Sequence, residues 1–201
     1  MKKKSKIWVL FLAAAVIFGA AWAKGKDDGV NKKIKQGVVR FHIRANSDSS
    51  KDQAEKLQVR DKVVEYLKPY MDRADTKEDA RKVLDSKRND IAEVAKEVLK
   101  KNGRDLPVKV YMTREEFPEK DYGSYVFPKG TYDALRIDLG KARGHNWWCV
   151  MFPDLCITKE SEAAKDGKTK KKLEQQVGKK GVEKLEKKEK KLPWFLQWLE
   201  G

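Results

Sequence analysis

Cysteine and histidine are both scarce, with two of each in 201 residues. Zinc sites draw three or four ligands from His, Cys and carboxylates, so His42 and His145 without a clear carboxylate partner argue against one. Common catalytic signatures are missing as well. There is no complete G-x-x-x-x-G-K-S/T phosphate loop, no H-E-x-x-H, no G-x-S-x-G and no C-x-x-C. His145 and Cys149 come nearest to a base and nucleophile. On one strand they would lie about 13 Å apart and could not share a proton; contact stays open only if His145 belongs to the loop beside Gly144. No catalytic residue, cofactor or metal is expected. Apolar runs long enough to span a membrane are lacking after residue 23, and a charged fraction of 38% beside a hydrophobic fraction of 40% excludes both a multi-span membrane protein and a wholly disordered chain.

Charge is plentiful but uneven. The net +15 divides into +4 over residues 1–23, +6 over 159–191, −1 at Glu200 and only +6 over 24–158. The middle of the chain is mildly basic, which makes it a poor candidate for specific nucleic-acid binding; lysine runs bind any polyphosphate without specificity.

Lys2, Lys3, Lys4 and Lys6 precede an apolar run from Ile7 to Ala23 that closes on Ala21-Trp22-Ala23, the form of an export signal with its cleavage site. Residues 1–23 are read as a signal peptide, with a mature start at Lys24, or as an uncleaved anchor. Residues 24–37 follow as a linker. Either reading puts the rest of the chain outside the cytoplasm, since the lysines stay inside. In an oxidising space Cys149 and Cys156 can pair, with Pro153 between them turning the chain; the alternative is two buried thiols.

Residues 38–158 make one domain. In Val38 to Asn46 the residues Val39, Phe41, Ile43 and Ala45 alternate with Arg40, His42, Arg44 and Asn46, a strand with one apolar side. Ser50 and Gln53 fit a capping box for a helix from about 50 to 67, ended by Pro69, with Ala54, Leu57, Val59, Val63, Val64 and Leu67 as its apolar stripe. A second helix starts at Thr76, capped by Thr76 with Asp79, and runs to Asn102-Gly103. Strands follow from Val108, from Ser124 to Phe127, from Thr131 to Leu139 and from Asn146 to Phe152. Pro128-Lys129-Gly130 is expected to be a hairpin turn, and the last strand to be buried on both faces. The order β-α-α-β-β-β-β predicts an α+β fold, a largely antiparallel sheet with two helices covering one face.

The tail over 159–191 is rich in Lys and Glu and reads as a solvated helix or as disordered chain. In 192–201, Trp194, Phe195, Trp198 and Leu199 share a helical face beside the lysines. That suits a membrane surface or a partner; the alternative is docking on the domain itself.

The polar side of the first strand is the candidate binding surface. Arg40, His42 and Arg44 project together, extended by Lys109 or Tyr111 and Arg136, while Asp133 and Asp138 read as ordinary surface acids. The row is either a solvated outer face or a dock for an acidic or aromatic partner.

Two segments carry a family pattern. Phe41-His42-Ile43-Arg44-Ala45-Asn46-Ser47-Asp48-Ser49 leads into Asp52-Gln53 and Val59-Arg60-Asp61; later comes Asn146-Trp147-Trp148-Cys149-Val150-Met151-Phe152-Pro153-Asp154-Leu155-Cys156. Over roughly 38–157 the chain resembles the stage II sporulation protein R family, departing where Asp154 replaces a usual second proline. The lysine-rich tail is outside the shared pattern. The resemblance implies a non-enzymatic signalling protein of endospore formation, made in the forespore and exported between the two membranes. Its implied partner is the membrane-embedded aspartic protease that processes the sigma-E precursor. Asn46, Trp147 and Trp148 join Arg40, His42 and Arg44 as partner-binding candidates. The alternative is a cell-envelope hydrolase with a site on the polar strand face.

Overall fold

Strand β1 (Val39–Arg44) has two chemically different sides, and both are used. In this computed structural model, which describes residues 28–153, 156 and 167–186, β1 lies inside a four-stranded sheet of order β2-β5-β1-β6. The other strands are β2 (Val108–Phe117), β5 (Gly130–Leu139) and β6 (Asn146–Phe152), with a separate hairpin of β3 (Lys120–Tyr122) and β4 (Tyr125–Phe127). β1 pairs parallel with β5 and antiparallel with β6, and β2 pairs antiparallel with β5. The fold is α+β with a mostly antiparallel sheet.

The apolar side of β1 meets helices α2 (Ser50–Arg73), α3 (Lys77–Ser86) and α4 (Arg88–Lys101). Val39, Phe41 and Ile43 share one core with Val59, Val63, Leu67, Leu84, Ile91 and Leu99. α2 starts at residue 50 as expected, but its cap is Ser49 and not Ser50: the Ser49 side chain accepts from the Asp52 N–H. It also runs past Pro69 to Arg73, because Met71 is buried in the same core and the last carbonyls find other donors. Lys172 Nζ donates to the carbonyls of Met71, Asp72 and Ala74 at 3.3, 2.9 and 2.8 Å. The first turns of α2 bury Asp52, Glu55 and Lys56 instead of the expected Ala54 and Leu57, which are exposed.

The helix expected from Thr76 is two helices. Its capping box of Thr76 with Asp79 is present, but Lys87 leaves helical geometry at φ −94° and ψ 5°. Arg88 Nε donates to the Asp85 carbonyl at 3.0 Å, so a side chain takes an acceptor that a continuous helix would use, while the Val83 carbonyl closes α3 by accepting from both the Lys87 N–H at 3.0 Å and Ser86 Oγ at 2.9 Å. Asn102 and Gly103 end α4, with Gly103 at φ +70°.

Pro128-Lys129-Gly130 is not a hairpin turn between paired strands. β4 pairs with β3, and β5 pairs along its full length with β2, from Phe117↔Gly130 to Val108↔Leu139. Two ten-residue strands satisfy more backbone groups together than either could with the three residues of β4. β6 is an edge strand and only its half from Cys149 to Phe152 is buried.

The second sheet face is covered too, which the expected two-helix layer omits. Residues 28–37, read as linker, form helix α1 with Ile34 fully buried. Part of the tail forms α5 (Gly167–Val177) and α6 (Lys179–Leu185), whose Leu173, Val177, Val182 and Leu185 share a core with Ile34, Tyr125, Phe127, Tyr132 and Val150. Thr169, Leu173 and Val177, four apart, line the buried side of α5. The signal segment 1–23 and the aromatic end with Trp194, Phe195, Trp198 and Leu199 lie outside the described residues.

A solvated tail would tolerate truncation within about 0.5 kcal/mol, whereas a core leucine loses about 2–5 kcal/mol. Leu173→Ala is therefore expected to lower the unfolding free energy in urea by the larger amount, with Lys171→Ala as the neutral control.

Candidate partner-binding surface

Strand register turns the second face into a grid. Level with His42 stand Tyr111, Arg136 and Trp148; level with Arg44 stand Lys109, Asp138 and Asn146; level with Arg40 stand Thr113, Ala134 and Val150. The Arg40 level is covered, the His42 level is half-covered and the Arg44 level lies at the open end.

Arg40 is not part of an exposed row: it is fully buried. Its guanidinium lies 4.4 Å from the Phe117 ring centroid and 4.9 Å from that of Tyr132, with Tyr122 and Phe127 each at 5.5 Å. Nε donates to the Cys149 carbonyl at 3.0 Å and Nη2 to Tyr122 Oη at 2.8 Å. Burial lowers the Arg40 pKa from its ordinary value, partly offset by Tyr122 and Tyr132. Ring faces and oxygens stand where a carboxylate would be usual. A surface dock through Arg40 is excluded by the hairpin and rings around it.

His42 is also buried, at 2% exposure, stacked on Trp148 with centroids 3.8 Å apart. Its Nδ1 is 2.9 Å from Glu115 Oε1 and its Nε2 2.8 Å from Asn146 Oδ1. Arg136 joins Glu115 Oε2 and Asp138 Oδ1, both at 2.9 Å, and Tyr111 Oη donates to Asp138 Oδ2 at 2.8 Å. Burial alone would raise the Glu115 pKa, but the His42 bond and charge, with Arg136, hold it below the ordinary carboxylate value. Burial and the Asp138 hydrogen bond push Tyr111 up to about 12. Asp138 is thus an internal partner and not a loose surface acid, and Asp133 pairs with Lys77 of α3.

Arg44 and Trp148 are half-buried, while Lys109 and Asn146 are exposed. Arg44 Nε donates to the Gly144 carbonyl at 3.3 Å. Trp147 points the other way, edge-on to Phe41 with Arg60 over its ring at 5.1 Å. Adjacent residues on a strand face opposite sides, so only Trp148 belongs to the grid.

Asn46 is a brace. Its Nδ2 donates to Asp52 Oδ2 at 2.8 Å and its Oδ1 accepts from Lys141 N at 2.9 Å. Ser47 Oγ also donates to Asp52, which Arg104 contacts at 2.8 Å, and His145 N donates to Asp48 Oδ1 at 2.6 Å. Asn46, Ser47 and Asp48 thereby tie the β1–α2 turn to the β5–β6 turn. Gly144 is required there, since a Cβ would sit 2.1 Å from the Ser47 carbonyl oxygen. Cys149 and Cys156 are joined as a disulfide, with Cα atoms 5.6 Å apart, and the Phe152–Pro153 peptide between them is cis.

The family model for stage II sporulation protein R matches residues 35–162, which takes in all of this grid and the brace. The chain belongs to that family. It is 36% identical over 181 residues to the stage II sporulation protein R of Bacillus subtilis (strain 168), covering 86% of this chain and 79% of the relative. No solved structure matches it. Membership points to a role in sporulation. α5 and α6 lie beyond the residues that the family model matches.

The sequence offered Arg136 and Tyr111 as extensions of the row, but not Glu115, which joins His42 to Arg136. The alternation of β2 carries that signal, because Tyr111, Thr113, Glu115 and Phe117 share a side.

Two outcomes follow. Arg40→Ala removes a buried anchor of four rings and is expected to cost about 3–5 kcal/mol in urea melts, like other large core truncations. Glu115, with its lowered pKa, contributes stability that is complete above the unfolded carboxylate value and lost as pH falls through the folded one. Glu115→Gln should therefore flatten the acid limb of a Tm-versus-pH curve and leave its neutral-to-alkaline shape unchanged.

Proposed function

We propose that this protein is an exported signal of endospore formation, acting between the forespore and mother-cell membranes. In this reading it activates the membrane-embedded aspartic protease that processes the sigma-E precursor. The basic, apolar N-terminal segment supports export. Family membership supports the sporulation role.

The observation that carries the reading is the open end of the grid. There Lys109, Arg44, Asn146 and the Trp148 ring are accessible above a layer already held by Glu115, Arg136 and Asp138. Trp148 is stacked on His42, Asn146 is hydrogen-bonded to His42 and Arg44 to the Gly144 carbonyl, so little ordering cost for these three falls on binding. A half-buried arginine beside an aromatic ring suits an anchor for a carboxylate or an aromatic side chain of the partner. Arg40 belongs to the support beneath and not to the contact.

Truncating an arginine that docks on a partner carboxylate costs about 2–5 kcal/mol of binding. Arg44→Ala combined with Lys109→Ala is expected to leave export and Tm nearly unchanged while blocking sigma-E precursor processing in sporulating cells. Normal processing by the doubly substituted protein would remove this surface from the mechanism.

A further inference from the structure

The second sheet face carries a layer that the signalling proposal does not use. α1, α5 and α6 turn most of their apolar residues inward, and lysine is the commonest residue on their outer side, beside Asp28, Gln36, Gln175 and Glu183. Lys32 and Lys33 of α1, Lys170 and Lys171 of α5, and Lys179 and Lys180 of α6 are exposed. Lys170 is paired with Glu186 at 2.7 Å and Lys179 with Glu174 at 4.0 Å; Lys32, Lys33, Lys171 and Lys180 form no ion pair among the described residues. The charge is concentrated here. Residues 28–37 and 167–186 hold ten lysines against four acids, or +6, whereas 38–153 hold 24 basic against 20 acidic residues, or +4.

The three helices are one packed layer. A Cβ at Gly37 would lie 2.9 Å from the Gln176 carbonyl oxygen, and one at Gly181 would lie 2.8 Å from Val177 Cβ and 3.7 Å from Ile34 Cγ1. Such close approach packs α1 against α5 and α6. The sequence carries more lysines just before α1 and just after α6. Lys24 and Lys26 link α1 to the apolar run Ile7–Ala23. Lys187, Lys188, Lys190 and Lys191 link α6 to Trp194, Phe195, Trp198 and Leu199.

We propose that the outer side of α1, α5 and α6 is a docking surface for an anionic phospholipid bilayer, which lays the domain down with this sheet face toward the membrane. The proposal rests on the reading that the protein works beside a membrane, and it adds an orientation. Lysines near an anionic surface each contribute through the surface potential and lose that contribution beyond a Debye length, so a flat layer holding several at once is the geometry that profits. The open end of the grid lies on the same sheet face as the lysine layer. Docked in this way, Arg44 and Trp148 stand next to the bilayer, within reach of a protein embedded in it.

The test is amine footprinting of the full chain, by acetylation and mass spectrometry. It compares vesicles of phosphatidylcholine alone with vesicles that also contain phosphatidylglycerol. Phosphatidylglycerol is expected to protect Lys32, Lys33, Lys171 and Lys180, while Lys62 of α2 and Lys96 of α4, on the opposite side, react as before. The protection should vanish at roughly 1 M salt, where the Debye length is about 3 Å. Replacing the four lysines by Gln should weaken the lipid-dependent interaction by about fivefold per lysine. Equal protection on both sides of the molecule, protection without anionic lipid, or equal protection by soluble polyphosphate would each overturn the assignment. The footprint needs no protease. Its failure therefore leaves the signalling proposal standing, and normal processing by the Arg44 and Lys109 variant leaves this one standing.

Discussion

The architecture turns on a guanidinium with no carboxylate. Arg40, the second residue of β1, is fully buried, and moving such a cation out of water costs several kcal/mol unless the site compensates. Compensation comes from four aromatic rings, the Cys149 carbonyl and the Tyr122 hydroxyl. Those groups belong to β2, β3, β4, β5 and β6, so one side chain constrains five strands. The hairpin β3–β4 is too short to be stable by itself, and its placement over β1 follows from this contact and from the Phe127 and Tyr125 packing behind it.

From Arg40 outward the same sheet face changes character within two residues of β1. Around Arg40 it is aromatic and closed. Around His42 it is a chain of hydrogen bonds, in which the Glu115 carboxylate joins His42 to Arg136 and the Asp138 carboxylate joins Arg136 to Tyr111. At Arg44 it reaches solvent. Each acid of that chain accepts from two partners, which fixes side chains that a solvated strand face would leave free to rotate. A rigid polar ledge beside an accessible tryptophan is what separates this face from an ordinary half-covered sheet.

Two locks keep the layers in register. At one end Asn46, Ser47 and Asp48 bind Asp52, Lys141 and His145, which joins the entry of α2 to the turn before β6. At the other, α5 reaches the α2–α3 junction: Lys172 takes the terminal carbonyls of α2, while Gln176 contacts the backbone of Asp75 and Lys77. A cation at a helix C-terminus is favoured by the dipole as well as by the hydrogen bonds.

Local pattern determined the elements whose causes are local. The two sides of β1, the Thr76–Asp79 cap, the Asn102-Gly103 stop and the run of β6 are legible because alternation, capping and glycine conformation act within a few residues. The family pattern is equally legible, though its Asn46 and Trp147 serve the brace and the helix-side core. What tertiary structure alone decided depends on register and on distant partners. Whether β5 joins β2 or β4 is a competition between pairings that have the same alternation. The fate of Arg40 depends on rings contributed by residues 117 to 132. A lysine-rich segment reads as solvated until Ile34, Tyr125 and Val150 supply an apolar surface for the stripe of Leu173, Val177, Val182 and Leu185. Burial is a property of the completed sheet face, and no window along the chain contains it.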